Sequence, residues 1–251
     1  MSKLPVALQL YTIRDEMSKN FVGSMKKVAK MGYDGVELAG TGGLSAKELK
    51  SLLKDLNLII VGSHIGYDAL EKDMDEVIAY NLALGNPYIV CPGLPEKFRQ
   101  NADGWRKAGE AFTQFASALK KHGLKFAYHN HAFEFESVAG TTGYNLLFDA
   151  ADPELVKAEV DVYWVQYGGY DPVELIAKFV NRAPLLHIKE MAGDAERSMT
   201  EVGNGIIDFK GIFRAAEKAK SEAYIIEQDT CQRPTLESAK ISLDKMREWG
   251  L

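Results

Sequence analysis

Short apolar runs alternate with longer stretches of helical period along the whole chain. Residues 6–10 (VALQL), 34–38 (DGVEL), 58–64 (LIIVGSH), 88–91 (YIVC), 126–131 (FAYHNH), 158–163 (AEVDVY), 185–189 (LLHIK) and 224–228 (YIIEQ) read as strands, being brief and rich in β-branched and aromatic residues. Between the first two, Phe21, Met25, Val28 and Ala29 mark a helix over about 17–30 that Gly32 should stop. Ser45 and Glu48 form a capping-box pattern ahead of Leu49, Leu52, Leu53 and Leu56. Further helices are expected over 68–84, 104–121 and 144–150, then from Asp171-Pro172 with Glu174, from Asp208, and over 235–249.

Eight strands alternating with helices over 251 residues, with no linker or low-complexity break, predict a single-domain (β/α)8 TIM barrel spanning 1–251. A doubly wound open sheet shares the alternation and is the structural alternative. No GxGxxG follows the first strand, which argues against its dinucleotide-binding form.

The strands end unusually. Side chains two apart on a strand share a face, and polar pairs occupy that spacing at His129/His131, Glu159/Asp161, His187/Lys189 and Glu227/Asp229. A buried polar group without a partner costs roughly 2–7 kcal/mol, so the simplest account is that these ends converge on one polar centre. Barrel sites lie at the C-terminal ends of the strands, where Gln9, Tyr11, Glu37, His64, His129, His131, Asp161, His187, Lys189 and Glu227 also fall. One such histidine alone reads equally well as a packed, hydrogen-bonded residue. Asp161, His187 and Glu227 together form a mixed carboxylate and imidazole set suited to one divalent ion: Mn, Zn, Co or Mg.

Composition narrows the partners. The net charge of −5 gives no support to nucleic-acid binding, which needs clustered Lys and Arg. No stretch is long and apolar enough to span a bilayer, and residues 1–16 lack the apolar run of a signal peptide. Cys91 and Cys231 show no framework spacing, which points to a reducing, cytoplasmic setting.

The stretches GYDGVEL, YHNHAFEF, VDVYW, LLHIKE, Gly203 to Asp208 (GNGIID) and YIIEQD together resemble the xylose isomerase-like superfamily of TIM barrels, in particular its sugar phosphate isomerase/epimerase branch. The resemblance covers nearly the whole chain. It implies Asp161, His187 and Glu227 as metal ligands. Many members carry Glu-Asn at the end of strand five, where this chain has His129-Asn130. This departure leaves two readings: His129 replaces the glutamate as fourth ligand, with Glu134 as a weaker substitute, or the metal is held by fewer protein groups and more water.

The expected function is a divalent-metal-dependent isomerase or epimerase of a sugar, keto-sugar or keto-glycoside, acting through an enediolate, with a small carbohydrate as its partner and a homo-oligomer left open. Glu227 or His129 would move the proton. Lys189 would neutralise developing charge or anchor a carboxylate, with a Schiff base or an ion pair to Glu159 or Asp161 as alternatives. Gln9, Tyr11, Glu37, His64, His131 and Trp164 are the expected substrate contacts, although Glu37 and His64 read equally as partners of the ligands. Gly203-Asn204-Gly205 reads as a phosphate loop or a plain turn. The other readings are an inosose-type dehydratase on the same site and a catalytically idle sugar-binding barrel; a multinuclear endonuclease fits poorly.

Overall fold

The structure is a computed structural model describing residues 4–251, so Met1 to Lys3 of the N-terminal stretch lie outside the described residues. The barrel strands are β1 (Val6–Gln9), β2 (Gly35–Leu38), β3 (Ile59–His64), β4 (Tyr88–Cys91), β5 (Lys125–His129), β6 (Val156–Asp161), β7 (Leu185–Ile188) and β8 (Ala223–Ile226). Every neighbouring pair is parallel, and β1 pairs with both β2 (Ala7 beside Gly35) and β8 (Val6 beside Tyr224). The sheet therefore closes on itself, which removes the open-sheet alternative.

Alternation of inward residues divides the interior into an apolar plug and a polar top. Ala7, Val61, Tyr88, Val90, Ala127, Leu185, Ala223 and Ile225 pack inside the strands. Three alanines leave room for the Tyr88 ring, whose hydroxyl donates to Glu222 at 2.9 Å. One step of two residues further along, Ala7 gives way to Gln9, Ala127 to His129, Leu185 to His187 and Ile225 to Glu227. Outward residues such as Leu8, Phe126, Tyr128, Val160 and Leu186 instead join the large core between strands and helices.

Local chemistry sets the helix ends. The Ser45 and Glu48 capping box forms in full around helix Ala46–Asp55, Asp171 accepts from the Val173 amide ahead of helix Pro172–Lys178, and Gly32 takes the left-handed conformation (φ 97°) that stops helix Phe21–Met31. Two expected helices are split. Asn20 (φ −159°) separates Arg14–Lys19 from Phe21–Met31 because its side chain caps the second helix through the Gly23 amide, and Asp73 separates Tyr67–Lys72 from Met74–Leu84. β1 stops at Gln9, whose side-chain oxygen accepts from the Tyr11 amide and turns the chain into the 3-10 segment Leu10–Ile13. β6 stops at Asp161 rather than continuing through Tyr163. Its carboxylate caps helix Val162–Tyr167 by accepting from the Trp164 amide.

Candidate active site

His129 and His187 form a T-shaped pair 4.5 Å apart between two tiers of carboxylates. In the inner tier, Glu159 Oε2 lies 2.8 Å from His64 Nε2, 3.0 Å from His129 Nδ1 and 3.0 Å from His187 Nε2. Glu37 Oε2 lies 2.7 Å from His187 Nε2 and 3.2 Å from His64 Nε2, and accepts from Gln9 Nε2 at 2.8 Å. The outer tier faces the other edges of the same rings: Glu227 Oε2 is 2.7 Å from His187 Nδ1, and Asp161 Oδ2 is 3.8 Å from His129 Nε2. Lys189 Nζ stands between Glu227 (2.7 Å), Asp161 (2.9 Å) and Asp229 (3.0 Å).

Burial is the largest influence on each of these groups and opposes charge. His64 and His187 overcome it at Glu37, as Lys189 and His187 do at Glu227, holding both carboxyls below the usual range. Glu159 is raised by burial and by the charge of Glu37. Burial also raises Asp161, to about 6, against the pull of Lys189. At His64, Glu37 and Glu159 outweigh burial and push the imidazole up to about 10; Glu159 and Glu227 raise His187 well above its ordinary value. His129 moves down, through burial and then the positive His187, and His131 falls to about 4 through burial and Lys189. Lys189 is raised despite burial by Asp161, Glu227 and Asp229. An amine held this firmly protonated is a poor Schiff-base nucleophile.

The outer tier fits a cation. One donor atom from each of His129, Asp161, His187 and Glu227 lies within 4.8 Å of the others, and all four residues are buried. Asp161 Oδ2 has the Lys189 ammonium 2.9 Å away as its close cationic neighbour. Lys189 already balances this charge, as a divalent ion would. Two nitrogens and two carboxylate oxygens are donors of the kind that hold a divalent metal ion. His64, His129, Glu159 and His187 meet the same distance criterion, but Glu159 does not line the cavity.

That cavity, of about 500 Å³, is lined by Tyr11, His64, His129, His131, Trp164, Lys189 and Glu227, together with Ala39, Pro92 and Asp229. Two expected substrate contacts are corrected. Gln9 and Glu37 are fully buried beneath it and absent from its lining; their partners are each other and the His187 and His64 rings. Glu134 is no substitute ligand either, since it accepts from the Tyr128 hydroxyl and the His131 amide on the outer face of β5.

Residues 25–249 match a known family model, described as a xylose isomerase-like TIM barrel. This chain belongs to the xylose isomerase-like TIM barrel family. Within it, an inosose dehydratase of Clostridium perfringens is 25% identical across 87% of this chain and 86% of its own length. A sugar phosphate isomerase/epimerase from Parabacteroides distasonis superposes with a TM-score of 0.85 at 25% identity, covering 98% of this chain and 94% of that one. An L-ribulose 3-epimerase shares the fold at 12% identity, with a TM-score of 0.71 and 98% and 94% of the two chains covered.

In this xylose isomerase-like barrel the structure brings together His129, Asp161, His187, Lys189 and Glu227, and gives roles to two residues that sequence reasoning placed in the converging pairs but not among the ligands or substrate contacts. Glu159 holds three rings, and Asp229 holds Lys189. The signal for both was present in their two-residue spacing from Asp161 and Glu227. The Gly203-Asn204-Gly205 segment is the turn, not a phosphate loop: the Gly203 and Ile207 amides donate to buried Glu190, which already supplies the anion.

Proposed function

We propose that this protein is a divalent-metal-dependent isomerase or epimerase of a keto-sugar or keto-glycoside. The observation that carries the reading is the buried His129–Asp161–His187–Glu227 set beside a sugar-sized cavity. A divalent ion held there would supply a Lewis acid to adjacent oxygens of a hydroxy-ketone.

The chain's own groups supply the rest. Both close contacts of Glu227, from His187 and Lys189, fall on Oε2, so Oε1 is the atom to take the proton from the carbon between those oxygens, leaving the substrate as an enediolate. The charged Lys189 lines the same cavity and offsets the negative charge that develops. Returned from Glu227 to the neighbouring carbon, the proton completes an isomerisation. His129, kept neutral by burial, has its Nδ1 hydrogen on Glu159 and its Nε2 in the candidate ligand set, so it serves as a ligand. His64 and His131 reach substrate hydroxyls, while Tyr11 and Trp164 form walls for the ring.

Elemental analysis of the purified protein should find a divalent metal. Incubation with a panel of keto-sugars in deuterium oxide should then place deuterium beside the carbonyl, and a chelator should stop it. The inosose dehydratase relative, matched over most of both chains, supports a second reading in which the same proton removal expels a β-hydroxyl. A new ultraviolet-absorbing enone would mark it. Saturable binding with neither signal would leave an idle sugar-binding barrel.

A further inference from the structure

Arg99 is a half-buried guanidinium without a hydrogen-bonding partner among the described residues, its charge reaching the buried Glu134 only through space. Arg14, Arg182, Arg197 and Arg247 donate to backbone carbonyls, Arg106 and Arg233 pair with carboxylates, and Arg214 is exposed. Among the described residues Arg99 donates no hydrogen bond and has no carboxylate within 4.0 Å, and its Nε is buried without a partner. A guanidinium stays charged at any accessible pH, and a buried donor left unmade costs about 1–3 kcal/mol, more when charged.

Its placement connects it to the reaction cavity. The guanidinium carbon sits 4.4 Å above the Phe133 ring, and Phe133 stacks at 5.7 Å and 12° on His131, which lines that cavity. Stacking on a ring fixes the guanidinium plane and leaves its in-plane donors free for a forked contact. Arg99 lines an open surface cleft of about 500 Å³ together with Tyr67, Gly66 and Gly93, and also the smaller cleft that holds Glu96 and Glu136. Gly93 directly follows Pro92 and Gly66 lies two residues after His64, both walls of the reaction cavity. A Cβ on either glycine would meet nothing within 4 Å, so the backbone there is bare to the space. Asp68, the carboxylate in this lining, is 76% exposed and 3.7 Å from Lys72. Glu96 and Glu136, across a smaller cavity of about 290 Å³ on the other side, are exposed as well.

We propose that Arg99 is the recognition residue for an oxyanion, phosphate or carboxylate, carried by the substrate at the end remote from its carbonyl. The inference rests on the keto-sugar reading of the neighbouring cavity and narrows its substrate class to acidic sugars.

Calorimetric titration of the wild-type protein, Arg99→Leu and Arg99→Lys with a neutral ketose, its terminal phosphate and the matching keto-uronate tests this. Wild type should prefer one or both anionic ligands, by about 10- to 100-fold, the effect of a charge-assisted contact. That preference should collapse towards one in Arg99→Leu and recover partly in Arg99→Lys. Phosphate and uronate arms identify the oxyanion, and neutral-ketose binding by each variant reports that the site is still folded. Equal affinity of wild type for neutral and anionic ligands, or a preference that survives Arg99→Leu, overturns the proposal. Deuterium wash-in on the same panel reports separately on the reaction: Arg99-dependent binding without exchange would sink the isomerase reading and keep this one.

Discussion

An ionised carboxylate can only accept, so each ring nitrogen facing Glu159 Oε2 must carry the proton. At His129 that places the hydrogen on Nδ1 and turns the lone pair of Nε2 towards Asp161; His187 also donates from Nδ1 to Glu227, so its inner-tier contact holds Nε2 and a metal would have to displace the Nδ1 proton. The inner tier thus sets which edge of each ring can bind a metal. Glu159→Gln should lower zinc or manganese affinity by about 10- to 100-fold in calorimetry, and unchanged affinity would remove Glu159 from this role. A second residue answers to pH. Glu134 is fully buried, and burial outweighs its bonds from Tyr128 and His131 to raise its carboxyl from 4.5 to about 7. A carboxyl raised in the folded state binds more protons folded than unfolded, so stability falls as pH rises through that window. Urea unfolding should show Glu134→Gln losing this part of the decline between pH 5 and 7, a difference of about 3 kcal/mol at most; parallel pH profiles for the two proteins would count against it.

At the scale of elements, the junction between β6 and helix Val162–Tyr167 makes one carboxylate serve twice, as cap and as candidate ligand. Asparagine caps about as well as aspartate, whereas alanine loses roughly 1 kcal/mol. Asp161→Asn should therefore keep more stability than Asp161→Ala while both lose metal binding, as thermal melts and metal titration would read. Equal melting of the two would show that the cap contributes nothing. This junction also marks how far the sequence was legible. Strand faces follow from a period of two, so the inward set at His129, Asp161, His187 and Glu227 was readable, as were the caps at Ser45 and Asp171. The end of β6 was not: VYW has strong strand preference, and only the capping geometry of Asp161 turns it into helix and swings Trp164 to the cavity wall. Nor could spacing show that Glu159 meets His64, 95 residues away. That contact depends on the register of β3 against β4, β5 and β6, a property of the closed barrel.

Across the whole molecule, the mouth of the barrel is held by charge balance rather than apolar packing, and this couples folding to ligand. Lys189 is 1% exposed and faces Asp161, Glu227 and Asp229. Removing one partner of a buried ionic group leaves uncompensated charge, at a cost of about 3–5 kcal/mol. Lys189→Met keeps the buried chain length, so its loss is mainly electrostatic, and the three carboxylates would be left with the His187 and His64 rings as their nearby cations. A divalent ion on the outer tier could replace the missing charge, stabilising the fold by about 2.7 kcal/mol at a hundred times its dissociation constant. Lys189→Met is therefore expected to melt well below wild type in chelator and to gain more from added manganese or zinc than wild type does, where the ion must displace an ammonium already in place. Melting curves of both proteins across a metal titration decide it: a smaller metal response in Lys189→Met than in wild type would mean that Lys189 and the cation do not compete for the same carboxylates.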